Sequence, residues 1–428
     1  MTSLKKSFKC YKRNNNVMAG PSTFSKGPDM FASGVTPFAL SRGKGGHVWD
    51  VDGNKYIDMI MGLGAVNLGY RNLYVENAIK KQLKKGVTFS LATEKEIEVA
   101  EMLCERIPCA EMVRFGKNGN DVTSAAIRLA RKVTGKNHVL FCGYHAWQDW
   151  YTCQTSMDGG IPKELKRYSH RFNYNDIENL KNIIDGLNDG VACIIMEPIS
   201  KFFPKKNYLK EVRTLASKKN IILIFDEIVT GFRFDRGGYQ NVCKITPDLA
   251  CFSKAMGNGV PISALVGKKN IMKECTKIFY SLTFAGETLS LAASKATMEF
   301  IDSNNVIKDI NKKGKYLMTN LEKIISSYKL DGCAKIIGYP SKHLLGFQDS
   351  NGTTGQMIAT YWIQELAKKG ILSNGGNTIC FAHKDKDIKK TLDIYDDTLK
   401  DIQKNIMQNT IEKKLQCKVA KPSPIHKN

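Results

Sequence analysis

The middle of the chain alternates strongly apolar runs with amphipathic stretches, and this alternation most constrains the fold. Four runs have the length of strands: 138–144, 191–199, 221–228 and 248–255. The run IILIFDEI at 221–228 is too apolar to lie half exposed. Residues 208–220, between two of the runs, carry apolar residues at helical spacing. Strands that alternate with helices predict an α/β fold with a mostly parallel sheet.

Three polar side chains stand where predicted strands end. Glu197, Asp226 and Lys254 each lie at the carboxyl end of an apolar run. In parallel α/β sheets, ligands bind beyond these ends, so the three side chains are expected to converge on one edge. A lysine at such a place is either an ordinary surface charge or a desolvated amine that forms an imine with a carbonyl.

The stretch RFGKNGNDVTSAAIRLARKVTG, residues 114–135, predicts a strand, a Gly/Asn-rich turn and then a helix. Asp121, Thr123 or Ser124 can cap the first turn of that helix. The start of a helix presents free N–H groups and the positive end of the dipole, which suit an anion. The turn has neither the GK[ST] of a Walker loop nor a GxGxxG pattern.

Together these parts match the needs of pyridoxal phosphate. The cofactor requires a lysine for an imine, a cradle for its phosphate and a carboxylate that keeps the pyridine nitrogen protonated. An aromatic ring to stack on the cofactor completes the set, and Tyr144 in the stretch GYHAW is the candidate.

Composition limits the other classes of function. The 428 residues contain no apolar run long enough for a membrane span, and the basic N-terminus lacks the apolar region of a secretory signal. The twelve cysteines form no CxxC pair, which indicates a reducing, cytoplasmic compartment and no metal site. The net charge of +23 would suit a nucleic-acid binder, but its lysines are spread over the chain without a recognition motif. Anionic small molecules are the expected partners.

Several ordered motifs make the chain resemble a known family. Over roughly residues 17–405 it is similar to the class-III, fold-type I aminotransferases, and most similar to the branch around glutamate-1-semialdehyde aminomutase. The motifs are GGHVWDVDGNKYIDMIMGLG, VRFGKNGNDVTSAAIRLARKVTG, GYHAW, IIMEPI, IFDEIVTGFR, FSKAMGNGVPISALVG, LTFAGETLSLAASKATMEF and FAHKDKDIKKTLDIYDDTL.

The resemblance implies roles for the residues around the cofactor ring. Lys254 would bind the cofactor as a Schiff base and then act as the base that moves the proton. Asp226 would pair with the pyridine nitrogen, while Ile228 packs under the ring and Tyr144 stacks over it. Glu197 would lie near the phenolic side of the ring or the incoming substrate.

The resemblance also implies how the phosphate is held and how the chain is organised. Gly119 and Asn120 would form the phosphate cradle, and Thr283 would reach the phosphate from the neighbouring subunit of a homodimer. The expected fold is a large domain with a seven-stranded, mostly parallel sheet and helices on both faces, plus a smaller α+β domain from both chain ends. The expected divisions are a basic flexible tail (1–16), an N-terminal segment (17–80), the large cofactor domain (81–302), the C-terminal small domain (303–410) and a basic tail (411–428).

The chain departs from the aminomutase pattern where substrate should bind. Leu63 stands where the aminomutase has a tryptophan, ISKFFPKKN follows Glu197 in place of a Gly-Asn-Met-Gly stretch, and TFSKGPDMF lacks the arginine that grips the substrate. Trp147 and Trp150 would either pack in the core or an interface, or contact a polyhydroxylated, sugar-like acceptor.

The sequence therefore predicts an aminotransferase that moves an amino group from an amino acid, L-glutamate, to an aldehyde or ketone. A glutamate-1-semialdehyde aminomutase, which shifts the amino group within one molecule, is the alternative. Two further hypotheses remain: a non-catalytic protein that keeps the fold, and a nucleic-acid binder.

Overall fold

The structure is a computed structural model, and it describes residues 3–421. The strands are β1 (Leu40–Lys44), β2 (His47–Asp50), β3 (Lys55–Asp58), β4 (Met112–Gly116), β5 (His138–Cys142), β6 (Ser169–Arg171), β7 (Val191–Met196), β8 (Ile222–Asp226), β9 (Leu249–Phe252), β10 (Ser263–Gly267), β11 (Ala334–Tyr339), β12 (Lys342–Phe347), β13 (Ile371–Leu372) and β14 (Gly376–Thr378).

The helices fall between these strands and at the chain ends. They are α1 (Lys5–Val17), α2 (Met61–Gly64), α3 (Leu73–Leu83), α4 (Glu94–Arg106), α5 (Gly119–Thr134), α6 (Asp149–Thr152), α7 (Ile177–Asp185), α8 (Tyr208–Lys218), α9 (Tyr239–Cys243), α10 (Lys269–Met272), α11 (Thr288–Ser303), α12 (Val306–Ser327), α13 (Gly355–Lys368), α14 (Asp385–Met407) and α15 (Ile411–Lys414).

The chain divides into two units. One contains the described residues up to 72 and those from 308 onward, and the other contains residues 73–307. The sequence places the corresponding divisions at 80/81 and 302/303, close to these positions.

The unit of residues 73–307 is built on a seven-stranded sheet with the order β4-β10-β9-β8-β7-β5-β6. Five strands from β9 to β6 run parallel to their neighbours, while β10 runs antiparallel to both β9 and β4. Every residue of β5, β7, β9 and β10 is buried. The predicted α/β fold with a mostly parallel sheet is confirmed.

The other unit contains two smaller sheets. In the four-stranded sheet β1-β2-β3-β13, the strand β13 from the C-terminal part pairs parallel with β3. The three-stranded sheet β11-β12-β14 is antiparallel. This unit is therefore an α+β structure that joins the two ends of the chain.

The basic segments near both ends contain ordered elements. Residues 5–17 form the helix α1, whose Ser7 is buried, although the sequence predicts a flexible tail there. The backbone N–H groups of Lys6 and Ser7 donate to the Asp52 carboxylate at 2.8 and 2.7 Å, and this carboxylate caps the helix. Near the other end, Ala420 is buried and its N–H donates to the Thr360 hydroxyl at 3.0 Å. Residues 1–2 and 422–428 of the two predicted tails lie outside the described residues.

Candidate active site

Three neighbouring strands carry the predicted polar side chains to one sheet edge. Glu197 follows β7, Asp226 ends β8, and Lys254 lies two residues beyond β9. These strands are adjacent and parallel, with Met196 paired to Phe225 and Asp226 paired to Cys251. The carboxyl ends therefore coincide, as ligand binding at such an edge requires.

Lys254 leaves the strand in an unusual backbone conformation. The predicted strand 248–255 ends at Phe252, and Lys254 begins a short 3₁₀ helix with a φ of 46°. The hydroxyl of the preceding Ser253 donates to the Ile262 carbonyl at 2.8 Å, which anchors this turn. A non-glycine residue with positive φ is strained, and such strain concentrates at functional sites.

The environment of Lys254 favours a neutral amine. Burial lowers the pKa of Lys254 from its ordinary 10.5, and the charges of Asp226 and Glu197 counteract part of that effect. The positive charge of Arg233, which is fully buried, adds to the lowering. An amine that loses its proton more readily is both a better nucleophile and a better base.

Asp226 is held by a residue that the sequence analysis missed. The carboxylate is buried, and its Oδ2 lies 2.7 Å from Nδ1 of His145, which is also buried. Its Oδ1 accepts the backbone N–H of Ile228 at 3.1 Å. His145 directly follows Tyr144 in the stretch GYHAW, so a titratable residue inside that motif was the available signal.

The second nitrogen of His145 fixes how many protons the pair holds. Nε2 lies 3.1 Å from the carbonyl oxygen of Cys142, and a carbonyl only accepts, so Nε2 carries a hydrogen. The contact between Nδ1 and Asp226 then contains one further proton, because two acceptors at 2.7 Å would repel each other. His145 and Asp226 thus form a buried pair without net charge.

The start of α5 fits the predicted anion cradle. This helix has 16 residues and begins at Gly119. Thr123 and Ser124, two of the predicted caps, therefore lie inside the helix and do not cap it. Asp121 does act at this end, since its Oδ2 accepts the N–H groups of Lys117 and Asn118 at 3.0 and 2.7 Å. The first N–H groups of a helix, here at Gly119 and Asn120, have no acceptor within it.

Close packing explains the glycine in the cradle. A Cβ on Gly119 would lie 2.6 Å from Cδ1 of Ile228, well inside van der Waals contact. The structure therefore brings Ile228 directly against the start of α5. Because the Ile228 N–H also binds Asp226, the cradle and the carboxylate are linked through a single residue.

Tyr144 and Glu197 meet at the next strand end. The Tyr144 N–H donates to Glu197 Oε2 at 3.3 Å, and the Ser200 hydroxyl donates to the same oxygen at 3.1 Å. Gly143 has a φ of 109°, and a Cβ there would lie 2.6 Å from Glu197 Oε2. Tyr144 is 41% exposed, so this residue is partly accessible to solvent. Burial and the charge of Asp226 raise the pKa of the Tyr144 phenol.

The two tryptophans of this region have different surroundings. Trp150 stacks on His145 with ring centroids 5.9 Å apart, and its Nε1 donates to the Ser124 hydroxyl at 3.1 Å. Trp147 is 67% exposed. Trp150 therefore packs behind the His145–Asp226 pair, whereas Trp147 faces solvent.

Thr283 lies apart from the other predicted site residues. It is exposed, and no contact among residues 3–421 joins it to the other seven. Its segment is fixed to the same unit, because Arg114 and Arg128 donate to the carbonyls of Tyr280 and Phe279 at 2.9 and 2.7 Å. Within one chain, the structure thus brings seven of the eight predicted residues to one region and leaves Thr283 outside it.

These residues fit pyridoxal phosphate. The edge combines an amine with a lowered pKa, a buried carboxylate, a partly exposed tyrosine and a helix start at a glycine that leaves no room for a Cβ. Within residues 3–421 no cluster of side chains could hold a metal ion, and no helix is long and apolar enough to cross a membrane. Fold and site together define a fold-type I enzyme dependent on pyridoxal 5′-phosphate.

Comparisons with known proteins identify the family. The model of the family "Aminotransferase class-III" matches residues 30–384, and the chain belongs to this family. It is 34% identical over 411 residues to a 3-aminobutyryl-CoA aminotransferase of Cloacimonas acidaminovorans (strain Evry), covering 94% of this chain and 98% of that protein. It is also 34% identical over 388 residues to a glutamate-1-semialdehyde 2,1-aminomutase of Wigglesworthia glossinidia brevipalpis, covering 83% and 89%.

Solved structures share the fold. The FumI protein of Sphingopyxis sp. MTA144, in its PLP internal aldimine form, superimposes with a TM-score of 0.88 at 23% identity, covering 97% of this chain and 99% of that one. An omega-transaminase from Sphaerobacter thermophilus gives a TM-score of 0.83 at 23% identity, covering 94% and 98%. The predicted family, enzyme class and cofactor are confirmed, and the substrates of this family are small molecules.

Proposed function

We propose that this enzyme transfers an amino group from an amino acid, L-glutamate, to an aldehyde or ketone. The observation that carries the proposal is the alignment of Lys254, Asp226 and Glu197 on one sheet edge, with a lowered pKa at Lys254. Bound pyridoxal phosphate supplies an electron sink for the carbon that loses its proton. The remaining functions at the site belong to side chains and backbone N–H groups of the protein.

Each proposed residue has a definite task. Lys254 would hold the cofactor through its amine and, as a neutral amine when free, would serve as the base that moves the proton. Asp226, held by His145, keeps the pyridine nitrogen protonated. The N–H groups of Gly119 and Asn120 hold the phosphate at the start of α5.

The remaining residues shape the space around the ring. Ile228 would pack against one face of the ring, and Tyr144 would stack on the other. Glu197 lies beside Tyr144, where its carboxylate can contact the phenolic side of the cofactor or the incoming amine.

We further propose that the enzyme is a cytoplasmic homodimer. Thr283 is exposed between two exposed aromatic residues, Phe279 at 86% and Phe284 at 57%, which would be covered in a dimer. In such a dimer Thr283 would donate to the phosphate bound by the partner subunit. All twelve cysteines are free thiols, which supports a reducing compartment.

The aminomutase reaction is the second candidate. Several curated relatives at 31–35% identity are named glutamate-1-semialdehyde 2,1-aminomutase. In such a reaction the amino group would shift within one molecule. The acceptor of this chain is either sugar-like, as the polar and aromatic residues around Trp147 suggest, or related to the substrate named for the 3-aminobutyryl-CoA aminotransferase.

The absorption spectrum before and after adding L-glutamate tests the proposal. Loss of the yellow colour on addition of glutamate, with formation of the amine form of the cofactor, is the expected result. A yellow protein that is indifferent to glutamate but bleached by 4,5-diaminovalerate would favour the aminomutase. A protein that never becomes yellow after reconstitution would contradict the role of Lys254.

A further inference from the structure

An ion pair beside the phosphate cradle has no role in the site described above. Nζ of Lys117 donates to Oε2 of Glu287 at 2.9 Å and to the Ser290 hydroxyl at 2.9 Å. The side chains of Lys117 and Glu287 are only 16% and 14% exposed, so solvent and salt screen the pair weakly. The ion pair joins the stretches GKNGN and GETLS, which the chain places 170 residues apart.

One end of the ion pair lies in the turn that opens α5. Lys117 stands two residues before Gly119, at which the helix begins. The turn is closed by Asp121, whose Oδ2 accepts the N–H groups of Lys117 and Asn118 at 3.0 and 2.7 Å. Because the backbone and the side chain of Lys117 are both anchored, the ion pair fixes the direction of the free N–H groups at the helix start.

The other end of the ion pair is the N-cap of α11. Oε1 of Glu287 accepts the N–H of Leu289 at 2.6 Å, and Oε2 accepts the N–H and the hydroxyl of Ser290 at 3.2 and 2.6 Å. The helix dipole favours a negative charge at this place. The N–H of the next residue, Thr288, donates to the Val87 carbonyl at 2.9 Å, so the start of α11 is held on the same unit.

Thr283 stands four residues before Glu287 and is connected to it by two turns. The N–H of Ala285 donates to the Leu282 carbonyl at 3.1 Å, and the N–H of Glu287 donates to the Phe284 carbonyl at 3.2 Å. The position of Glu287 therefore sets the position of the segment that carries Thr283.

Glu287 depends on its cation. Burial acts to raise the pKa of Glu287, but hydrogen bonds from Ser290 and Lys117 outweigh burial and bring the pKa below its ordinary 4.5. Glu287 is therefore ionised at neutral pH. A largely buried carboxylate without its cation is costly, so removal of the Lys117 charge should displace Glu287 and the segment before it.

We propose that Lys117 is a positioning residue for the cofactor phosphate. It fixes the start of α5, which holds the phosphate of its own subunit, and through Glu287 it fixes Thr283, which reaches the phosphate of the partner subunit. This role rests on the proposed function, because the phosphate cradle and the dimer are proposals there. Through this ion pair, one lysine in each subunit serves both cofactor sites of the dimer.

Titration of the full chain, freed of cofactor, with pyridoxal phosphate and with pyridoxal tests the role of Lys117. Pyridoxal lacks the phosphate. Lys117→Gln should lower the affinity for pyridoxal phosphate by about tenfold, as expected for the loss of a charged hydrogen bond, and leave the affinity for pyridoxal unchanged. Lys117→Arg keeps the charge and should recover most of the loss. A general structural defect would weaken the binding of both ligands equally and would contradict the positioning role.

Lys181→Gln is the matched control, since it removes the partner of Glu178 in an ion pair of 2.7 Å on the surface of α7. This variant should bind both ligands like the parent protein. If the parent protein itself binds pyridoxal phosphate no more tightly than pyridoxal, the proposed phosphate cradle is wrong as well. If the parent protein prefers pyridoxal phosphate and Lys117→Gln keeps the same preference, the role of Lys117 alone is refuted.

A double-variant cycle tests the link to the partner subunit. If Lys117 acts through the segment that carries Thr283, the loss of pyridoxal phosphate affinity in Lys117→Gln/Thr283→Ala should be smaller than the product of the two single losses. Glu287→Gln breaks the ion pair from the other side and should show the same coupling to Thr283→Ala. Losses that multiply in both cycles would refute the link between the two cofactor sites.

Discussion

Nδ1 of His145 lies 2.7 Å from Oδ2 of Asp226, and both side chains are buried. The contact joins two motifs that stand 81 residues apart in the chain. Trp150 stacks on the outer side of the imidazole, and the Cys142 carbonyl fixes its other nitrogen. The carboxylate expected to face the pyridine nitrogen is therefore held in place by His145, which is itself held by Cys142 and Trp150.

Replacing His145 should weaken cofactor binding through Asp226. In His145→Ala the buried carboxylate loses a charge-assisted hydrogen bond worth about 2 kcal/mol, so cofactor affinity should fall roughly thirtyfold. His145→Asn keeps an N–H near the position of Nδ1 and should recover part of that loss. The measurements are the cofactor dissociation constant and the pH dependence of its absorption. A merely structural role would leave that pH dependence unchanged in both variants.

Lys254→Ala should abolish turnover, with a rate loss of about a thousandfold or more, because both the covalent attachment and the base are removed. The fold should persist, since the Lys254 amine makes no hydrogen bond to any of the residues 3–421. Borohydride treatment followed by mass spectrometry should add the cofactor mass to the parent protein but not to the variant. Lys254→Arg is the control for positive charge and should also remain unmodified. Covalent labelling of either variant would show that another amine holds the cofactor.

The pattern of apolar runs predicted the part of the fold that matters most for the site. Short apolar segments such as β7 and β8, which alternate with amphipathic stretches, are typical of buried parallel strands. The polar residues at their carboxyl ends, Glu197 after β7 and Asp226 at the end of β8, are therefore expected at one edge. The antiparallel β10 could not be foreseen, because strand direction depends on how the chain returns after the turn at residues 257–261 rather than on residue type.

Other features depend on contacts that are distant in sequence. The order of α1 comes from Asp52 and Phe38, which lie far along the chain, so its lysine-rich composition alone predicts a tail. The pairing of His145 with Asp226 also needs the strand order of β5, β7 and β8. The positive φ of Lys254, at the start of the short 3₁₀ helix 254–257, is not indicated by the apolar run that precedes it.

Gly119→Ala should disturb the phosphate cradle even though alanine is the better helix former. Its Cβ would lie 2.6 Å from Ile228 Cδ1, so the isoleucine must move and with it the N–H that binds Asp226. Cofactor affinity should fall by about tenfold, as expected for 1–2 kcal/mol of overpacking. Ile228→Val removes the clashing carbon, and the double variant should bind cofactor more tightly than Gly119→Ala alone. Additive losses in the double variant would mean that the two residues do not interact.

Thr283→Ala tests the dimer contribution to the site. If the threonine hydroxyl donates to the phosphate of the partner subunit, its loss should weaken cofactor binding by about tenfold. Thr283→Ser keeps the hydroxyl and should bind cofactor like the parent protein. Mixed dimers of Lys254→Ala and Thr283→Ala subunits should contain one active site that lacks both changes, so mixing should restore part of the activity. A monomer with full cofactor affinity by sedimentation would refute the shared site.

Glu227 should make stability fall as pH rises through the weakly acidic range. Its carboxyl is fully buried, with N–H groups of Tyr239 and Gln240 at 2.8 and 2.9 Å and the Thr230 hydroxyl as donors. Burial raises the pKa of Glu227 from 4.5 to about 7. Between pH 4.5 and pH 7 the Glu227 carboxyl is protonated in the folded chain and ionised in the unfolded chain. The free energy of unfolding therefore falls as pH rises through this range, by about 3 kcal/mol in total, and this contribution is constant above pH 7.

Urea unfolding of the parent protein and two variants measures this dependence. The glutamine of Glu227→Gln does not titrate, so this variant lacks the pH dependence that Glu227 contributes. From pH 7 to pH 4.5, the unfolding free energy of the parent protein should rise by about 3 kcal/mol relative to that of the variant. The variant also loses an acceptor for one buried N–H, which lowers its unfolding free energy at every pH. The quantity to compare is therefore the slope of unfolding free energy against pH. Glu211→Gln changes an exposed carboxylate on α8 and should leave the slope of the parent protein unaltered. Equal slopes in the parent protein and Glu227→Gln would mean that Glu227 is ionised in the folded enzyme throughout this range, stabilised by its three donors.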